Sequence, residues 1–311
     1  MSREGISHVL STAQFSDAGL LNALFDSAED LQQKTTQGVL ASSMRGRILA
    51  SLFYEPSTRT RFSFETAMQR LGGSVVSTEN ASQFSSAVKG ETLEDTIRVV
   101  SGYADVVVLR HPEQGAAKRA SLVSSVPIMN AGDGAGEHPT QALLDLYTIR
   151  RELGKIDGLK VALVGDLLNG RTIHSLLYLL SVYKKVKVYL VSPPRLCTPQ
   201  HYKEHLQNKK VEFEELSDLG KILGEVDVVY ATRLQKERFQ TTLDSPDYFV
   251  INEASLSLLK EKSILLHPLP RVNEISPEVD KDPRAAYFRQ ARNGVFIRMA
   301  LLESVLGKRV V

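Results

Sequence analysis

A single cysteine, Cys197, stands in a chain of 311 residues. One cysteine excludes an internal disulfide framework and a cysteine-based zinc site, and makes the cytosol or a similar reducing compartment the expectation. An excess of charge is missing too. The 38 Lys and Arg face 36 Asp and Glu, a formal net charge of +2. That balance argues against a dedicated nucleic-acid binder, whose charge is lopsided, but leaves room for a small basic pocket. No stretch approaches the roughly 18 continuous apolar residues of a membrane span. The N-terminal MSREGISHVLSTAQF lacks the basic segment and apolar core of a signal peptide. There is no G-x-G-x-x-G, no repeat at fixed period and no low-complexity tract, so dinucleotide binding and solenoid folds are not indicated. With 42% apolar and 24% charged residues the composition is that of an ordinary globular protein. At roughly 150 residues per domain, the length suggests about two domains.

The pattern that is present alternates helix and strand. Residues 17–34 place Leu20, Leu21, Leu24, Phe25 and Leu31 near one helical face. Arg47–Tyr54 is a short unbroken apolar run of the kind a buried parallel strand shows. Thr58–Leu71 reads as a helix stopped by Gly72-Gly73, followed by a strand at Ser74–Thr78, a polar loop at Glu79–Gly90 and a helix at Glu91–Tyr103. Strands follow at Ala104–Leu109 and Val126–Asn130. Pro139–Leu153 reads as a long helix, with proline in the first turn where its missing N–H costs nothing. The rhythm restarts with a strand at Lys160–Gly165, a helix at Arg171–Tyr183, and strands at Val186–Val191, Val226–Ala231 and Ser263–Leu266. A helix over Arg284–Leu306 ends the chain. The expected architecture is therefore α/β, with two domains, each a parallel sheet flanked by helices. The long helix joins them, and the C-terminal helix packs back on the first domain to bury its apolar stripe.

Polar clusters fall where these strands end. Ser57-Thr58-Arg59-Thr60, preceded by Glu55-Pro56, sits between a buried strand and a helix. Three hydroxyls and a guanidinium there exceed what capping needs and make an anion site. Ser85 through Glu91 forms a polar loop around Lys89, readable as a solvated loop or as part of a site. Arg110-His111-Pro112 closes a strand, where ligands of open α/β sheets bind, although a surface arginine is the alternative. His138 and Gln141 share the first turn of the long helix, as ligand groups or as structural residues. Gly165 to Thr172 resembles a P-loop in spacing, but Arg171 stands where lysine is required and no second motif supports a nucleotide. Arg171 and Thr172 still head a helix after a strand, a place for a carboxylate or phosphate. Thr232 to Phe239 and His267-Pro268-Leu269-Pro270-Arg271 also follow strands, as a charged loop and a rigid turn or as site segments. The two prolines are expected to fix an extended backbone that exposes the carbonyls of His267 and Leu269. Taken together, strand ends carry Arg, His, Thr and Gln, while acids and cysteines suited to a metal are expected to be missing there. The site would take a substrate with several negative charges and no metal.

Phe53-Tyr54-Glu55-Pro56-Ser57-Thr58-Arg59-Thr60 resembles the carbamoyl-phosphate signature of the transcarbamoylase family, and His138-Pro139-Thr140-Gln141 resembles its second motif. Thr232-Arg233-Leu234-Gln235-Lys236-Glu237-Arg238 and His267-Pro268-Leu269-Pro270 resemble the aspartate transcarbamoylases of that family. The ornithine members would instead show His-Cys-Leu-Pro and an Asp…Ser-Met-Gly loop. The likeness runs from the first helix through Asp282-Pro283-Arg284 to the last helix.

The resemblance implies a carbamoyl-phosphate-binding domain over 1–138 and 290–311 and an aspartate-binding domain over 139–289. It implies that Ser57, Thr58, Arg59 and Thr60 hold carbamoyl phosphate, with Arg110 bridging phosphate and carbonyl. His138 and Thr60 would polarise the carbonyl, Gln141 would hold the carbamoyl amide, and the carbonyl of Leu269 with Pro270 would hold the reacting nitrogens. Arg171 and Thr172 would take one carboxylate of L-aspartate, Arg233 and Gln235 the other. Ser85 and Lys89 would reach a neighbouring subunit's site in a homotrimer, and Glu55 would pair with Arg171 and Arg238 on closure. The Glu79–Gly90 loop is most like that of stand-alone plant chains, for which the location would be the plastid; the sequence does not decide whether UMP inhibits. Regulatory chains or a multifunctional pyrimidine-pathway polypeptide are further contexts the family allows.

The residues agree with that chemistry. An amine attacks a carbamoyl carbon and phosphate leaves, with no covalent enzyme intermediate, metal or cofactor required. The protein must hold two mutually repelling anions and stabilise an oxyanion, which positioning and fixed cationic donors accomplish. Arg233 would repel the cation of ornithine and pair with a β-carboxylate. The alternatives are a carbamoyltransferase for another amine, and an inactive anion-binding scaffold that would have lost Arg59, Arg110 or His138.

Overall fold

Asp17 starts the first helix by accepting the N–H of Leu20 at 2.7 Å, and helix α1 (Ala18–Thr36) buries Leu21, Leu24, Phe25, Ala28 and Leu31. The computed structural model describes residues 7–39, 41–81, 86–234 and 249–307. The first sheet is built from β1 (Ile48–Phe53), β2 (Ser74–Glu79), β3 (Val106–His111) and β4 (Ile128–Asp133). Its strands lie in the order β2-β1-β3-β4, all parallel. Helices α2 (Thr58–Arg70), α3 (Leu93–Ser101) and α4 (Ala116–Val123) connect them. Strands β1, β3 and β4 are buried almost throughout, whereas the edge strand β2 leaves Val76 exposed.

After α5 (Pro139–Leu153) comes a second sheet of β5 (Lys160–Val164), β6 (Lys187–Val191), β7 (Glu212–Leu216), β8 (Val228–Ala231) and β9 (Ile264–Leu266). These are ordered β7-β6-β5-β8-β9, again all parallel. Helices α6 (Arg171–Leu180), α7 (Gln200–Asn208) and α8 (Glu253–Leu258) accompany it, and α9 (Tyr287–Leu306) ends the description of regular structure. A core of Ala162, Val164, Val229, Leu265, Ile275 and Tyr287 lies beneath this sheet.

The chain divides into two units, one ending at Thr140 and resuming at Arg292, the other spanning Gln141–Ala291. The breaks fall in the first turn of α5 and inside α9, where the sequence reading puts them at 138/139 and 289/290. The later part of α9 belongs to the first unit. There the Arg298 guanidinium lies 4.8 Å from the centroid of the Phe64 ring and donates to the Thr140 hydroxyl at 3.2 Å. Among the described residues, no helix is long and apolar enough to cross a membrane.

Several elements differ from expectation. β7 is absent from the sequence reading because Glu-Phe-Glu-Glu-Leu has no apolar run. It is an edge strand whose acids face Lys187, with Glu212 at 2.8 Å and Glu214 at 3.5 Å. Helices α4, α7 and α8 are likewise short and were not distinguished. The helix expected over Glu91–Tyr103 runs from Leu93 to Ser101, because the Thr92 hydroxyl accepts the N–H of Asp95 and sets the start. The last helix begins at Tyr287 rather than Arg284. Residues 284–286 are instead bonded to β9, Leu265 N–H to the Arg284 carbonyl at 2.8 Å and Ala286 N–H to the Leu265 carbonyl at 2.9 Å. Within the loop expected at Glu79–Gly90, Ser86–Lys89 forms a 3-10 turn.

Candidate active site

In each sheet the connections reverse direction once. β1 leads outward to β2 before the chain crosses to β3, and β5 leads outward to β6 and β7 before it crosses to β8. The crevice outside the carboxyl ends of such a switch pair is where open α/β sheets bind ligands. The first switch pair, β1/β3, carries Ser57 to Thr60 and Arg110. The second, β5/β8, carries Arg171, Thr172 and Arg233.

In the first unit, Ser57 is the N-cap of α2, yet its side chain makes no capping hydrogen bond. Thr58 and Arg59 are exposed and Thr60 is buried. The first backbone N–H groups of α2 have no partner inside the helix and point out of its positive end. Partial loss of water around the Arg59 guanidinium lowers its pKa from the ordinary value. Arg110 lies opposite Phe53 in the β1/β3 register, and its carbonyl accepts the N–H of Tyr54 at 2.9 Å. Its guanidinium donates to the Ala131 carbonyl at 3.2 Å and lies 3.5 Å from Glu55. Arg110 thus ties together the ends of β1, β3 and β4. Glu55, which the resemblance pairs with Arg171 and Arg238, faces Arg110; Arg238 lies outside the described residues.

The loop leading to His138 is held by Asp133, which is buried. Its oxygens accept the N–H groups of Glu137 and Gly115, each at 2.9 Å. Gly134, at φ +53°, meets the Pro112 carbonyl so closely that a Cβ would sit 2.2 Å from that oxygen. His138 is buried at the start of α5. The neighbouring His111 is structural. Burial lowers its pKa, its Nδ1 accepts the Glu113 N–H, and its ring packs 4.8 Å from that of Tyr54.

In the second unit, Gly165 at φ +120° follows β5, and a Cβ there would fall 2.3 Å from the Thr232 carbonyl. Asp166 accepts the N–H of Asn169 at 2.9 Å and shapes the turn into α6, whose first residues are Arg171 and Thr172. His174 reaches back from α6 to the Leu167 carbonyl at 2.8 Å. Thr232 is buried and Arg233 is half-buried after β8. Gln235 lies outside the described residues, as does Ser85. Lys89 is described and exposed.

Single acids do stand at the strand ends, without forming, among the described residues, the kind of cluster a metal needs. Asp133 and Asp166 stand there, with Glu55 close by, and the two aspartates are occupied by backbone N–H donors. Among the described residues no group of three or more His, Cys, Asp or Glu could hold a metal ion.

The turn after β9 departs from the extended backbone expected of it. Leu269 has φ +58° and is followed by a cis Leu269-Pro270 bond. Hydrogen bonds hold it there. The Leu269 N–H donates to His267 Nδ1 at 2.8 Å, and His267 Nε2–H donates to Glu274 at 2.8 Å. A ring that accepts at Nδ1 and donates at Nε2 is the neutral tautomer. Burial pushes the Glu274 carboxyl up, but bonds from His267 and from the backbone N–H groups outweigh it and hold the carboxyl below its ordinary value. Arg271 is anchored beside the turn by Asp280 and by the Tyr287 hydroxyl at 2.9 Å.

No sequence motif singles out the group on which several of these segments converge. Asp145, fully buried in α5, accepts from Gln141 Nε2 at 2.8 Å, from Gln290 Nε2 at 2.6 Å and from the Tyr230 hydroxyl at 2.8 Å. Gln290 in turn accepts the backbone N–H of His267 at 2.9 Å. The Tyr230 phenol is raised well above its ordinary value, first by burial and then by the charge of Asp145, and a hydrogen bond with Thr172 opposes the shift. The one signal in the sequence is spacing. Asp145 lies four residues after Gln141, on the same helix face.

Two family models match the chain. "Aspartate/ornithine carbamoyltransferase, carbamoyl-P binding domain" covers residues 7–151, and "Aspartate/ornithine carbamoyltransferase, Asp/Orn binding domain" covers 157–305. The chain is 55% identical over 302 residues to aspartate carbamoyltransferase 2, chloroplastic, of Pisum sativum, spanning 96% of this chain and 78% of the relative. It is 49% identical to a stretch of the multifunctional protein pyr1-3 of Dictyostelium discoideum, 97% of this chain matching 14% of that one. A solved structure of aspartate transcarbamoylase from Trypanosoma cruzi, in complex with carbamoyl phosphate and aspartate, superposes with a TM-score of 0.91 at 47% identity, covering 96% of both chains.

Proposed function

The chain belongs to the aspartate/ornithine carbamoyltransferase family, and from that premise we infer that it transfers the carbamoyl group of carbamoyl phosphate to the α-amine of L-aspartate. The products are N-carbamoyl-L-aspartate and phosphate, in the route to pyrimidines. The observation that carries this reading is the head of α2. Ser57 occupies the cap position with its hydroxyl outside any capping bond, so Ser57, Thr58, Arg59 and Thr60 are available together with the helix N–H groups for a phosphate. Arg110 stands at the adjoining strand end, where it would bridge the phosphate and the carbonyl. His138 and Thr60 donate to the carbonyl oxygen as it takes up negative charge, and Gln141, with the carbonyl of Leu269 and Pro270, receives the nitrogen. In the second unit Arg171 with Thr172, and Arg233 with Gln235, take the two carboxylates of L-aspartate. The amine attacks the carbamoyl carbon, the tetrahedral oxyanion is stabilised by donors already in place, and phosphate leaves.

The working unit in this reading is a homotrimer in which Ser85 and Lys89 complete a neighbour's site, within a reducing compartment. Support comes from Lys89, exposed beside an exposed Val88, with Phe62 and Val76 also uncovered on the same unit. The match to a stretch of a much longer multifunctional chain keeps that arrangement open for this sequence.

The test is a colorimetric ureido assay with carbamoyl phosphate, offering L-aspartate and L-ornithine in parallel. Product with aspartate alone is expected, and product with ornithine would overturn the reading of the Arg233 segment. Mixing Lys89→Ala subunits with Arg59→Ala subunits is expected to restore part of the activity. No recovery would count against shared sites.

A further inference from the structure

Asp145, itself fully buried, accepts from Gln141, Gln290 and Tyr230. A carboxylate has only acceptors to offer. Gln141 must therefore turn its NH2 toward Asp145, which leaves Oε1 as the atom it presents on its other side. An amide without such a neighbour can flip and present either end. The same logic fixes Gln290, whose NH2 meets Asp145 and whose Oε1 meets the His267 N–H. From His267 the chain of bonds continues to the Leu269 N–H. A carbamoyl amine carries two N–H donors and needs two acceptors. Gln141 Oε1 and the Leu269 carbonyl are acceptors whose orientation leads back to one buried carboxylate.

Resting on the carbamoyl-transfer reading and deepening it, we propose that Asp145 is a positioning residue for the carbamoyl amine. It locks the Gln141 amide with Oε1 toward the substrate and, through Gln290 and His267, steadies the turn that carries Leu269. The site thereby selects an acyl phosphate that bears N–H donors over one that bears a methyl group in their place. Asp145 touches no substrate itself. Its contribution is discrimination rather than general binding, because a flipped Gln141 would set NH2 against NH2 and leave the contacts to the phosphate untouched.

The experiment compares carbamoyl phosphate with acetyl phosphate, each with saturating L-aspartate, in the full chain and in Asp145→Asn. Acetyl phosphate is read as a substrate or as a competing inhibitor. The variant is isosteric, but it can offer its own NH2 to Gln141. The preference for carbamoyl phosphate is expected to fall about ten- to a hundred-fold, through KM for carbamoyl phosphate more than through kcat. The acetyl phosphate constants should stay within about two-fold. Equal losses for both acyl phosphates would mean that Asp145 only supports the fold, and would overturn the proposal. In a Gln141→Ala background Asp145→Asn should add little further loss of preference, and full additivity would also overturn it. Should Asp145→Asn fail to fold, Gln290→Met removes both the Gln290 donor to Asp145 and its acceptor for His267 while keeping the Gln141–Asp145 bond, and must show a selective loss of the same sign, an unchanged preference being refutation. A wild-type chain that turns over neither acyl phosphate overturns the carbamoyl-transfer reading and this proposal with it.

Discussion

Glu274→Gln keeps the shape of a buried side chain and removes its charge, so it isolates what holds the turn after β9. Glu274 is 6% exposed and accepts from His267 Nε2 at 2.8 Å, from the Val272 N–H at 3.2 Å and from the Asn273 N–H at 3.1 Å. Glutamine offers one acceptor oxygen and an NH2. If the oxygen serves His267, the NH2 is set against two backbone donors. If it serves them, the imidazole N–H loses its acceptor. A donor left unsatisfied costs about 1–3 kcal/mol, and exchanging a charge-assisted bond for a neutral one loses roughly half of what remains. The sum is about 2–3 kcal/mol at neutral pH, read as a lowered urea midpoint with unchanged slope.

The sign of the pH dependence follows from the direction of the shift. Glu274 titrates below its ordinary value of 4.5 in the folded chain. Its stabilisation is therefore complete above that value and lost as pH falls through the lower folded pKa. The gap between wild type and variant should be widest near neutrality and narrow in acid. A midpoint equal to wild type at pH 7, or a gap that does not change between neutral and acid conditions, would refute the reasoning. Because Leu269 hangs from His267, KM for carbamoyl phosphate should rise in the same variant.

Arg59→Ala is expected to lose about 2–5 kcal/mol of transition-state stabilisation, measured as kcat/KM, while the circular dichroism spectrum and melting temperature stay near wild type. His138→Ala should likewise abolish most turnover, and near-normal turnover in either variant would sink the role given to that residue. Arg233→Ala should raise KM for L-aspartate far more than KM for carbamoyl phosphate, and equal changes in both would argue against an aspartate contact. Gly165→Ala places a Cβ 2.3 Å from the Thr232 carbonyl at a φ of +120°. It should destabilise the second unit by about 2 kcal/mol or more, seen as a lowered midpoint in urea.

What the sequence made legible follows the reach of its signals. A buried parallel strand has no polar face, so β1, β3, β5 and β8 announce themselves as unbroken apolar runs of a few residues. β7 alternates glutamates that meet Lys187 only after the edge is formed, so its pattern has meaning in the sheet and none along the chain. Residues 284–286 look helical by composition, and are taken from the helix by bonds to a strand about twenty residues earlier in the chain. The site divides in the same way. Ser57 to Thr60, Arg110, His138 and Arg171 each sit beside a strand end, where a polar run against an apolar one is conspicuous. Asp145 is a single polar residue in an apolar stretch, Gln290 and Glu274 lie among other polar residues with nothing to set them apart, and Gln290 lies 145 residues from the carboxylate it holds. No local pattern marks a hydrogen bond of that span. The left-handed backbone of Leu269 was equally hidden, since proline steers its predecessor toward extended conformations and only the His267–Glu274 pair turns it aside.

That division also explains how a chain of net charge +2 can serve two anions. A site of this kind needs cationic donors in two places, not a basic protein. The buried acids around it are turned inward. Asp133 and Asp166 take backbone N–H groups, Asp145 takes side-chain N–H and O–H donors, and Glu274 takes both imidazole and backbone. Each of these acids holds a segment that carries a cation or a donor, and Glu55 lies beside Arg110. Fixing the loops by hydrogen bonds to buried acids separates the task of holding a backbone from the task of binding an anion. Preorganised donors can then meet charge as it develops in the reaction.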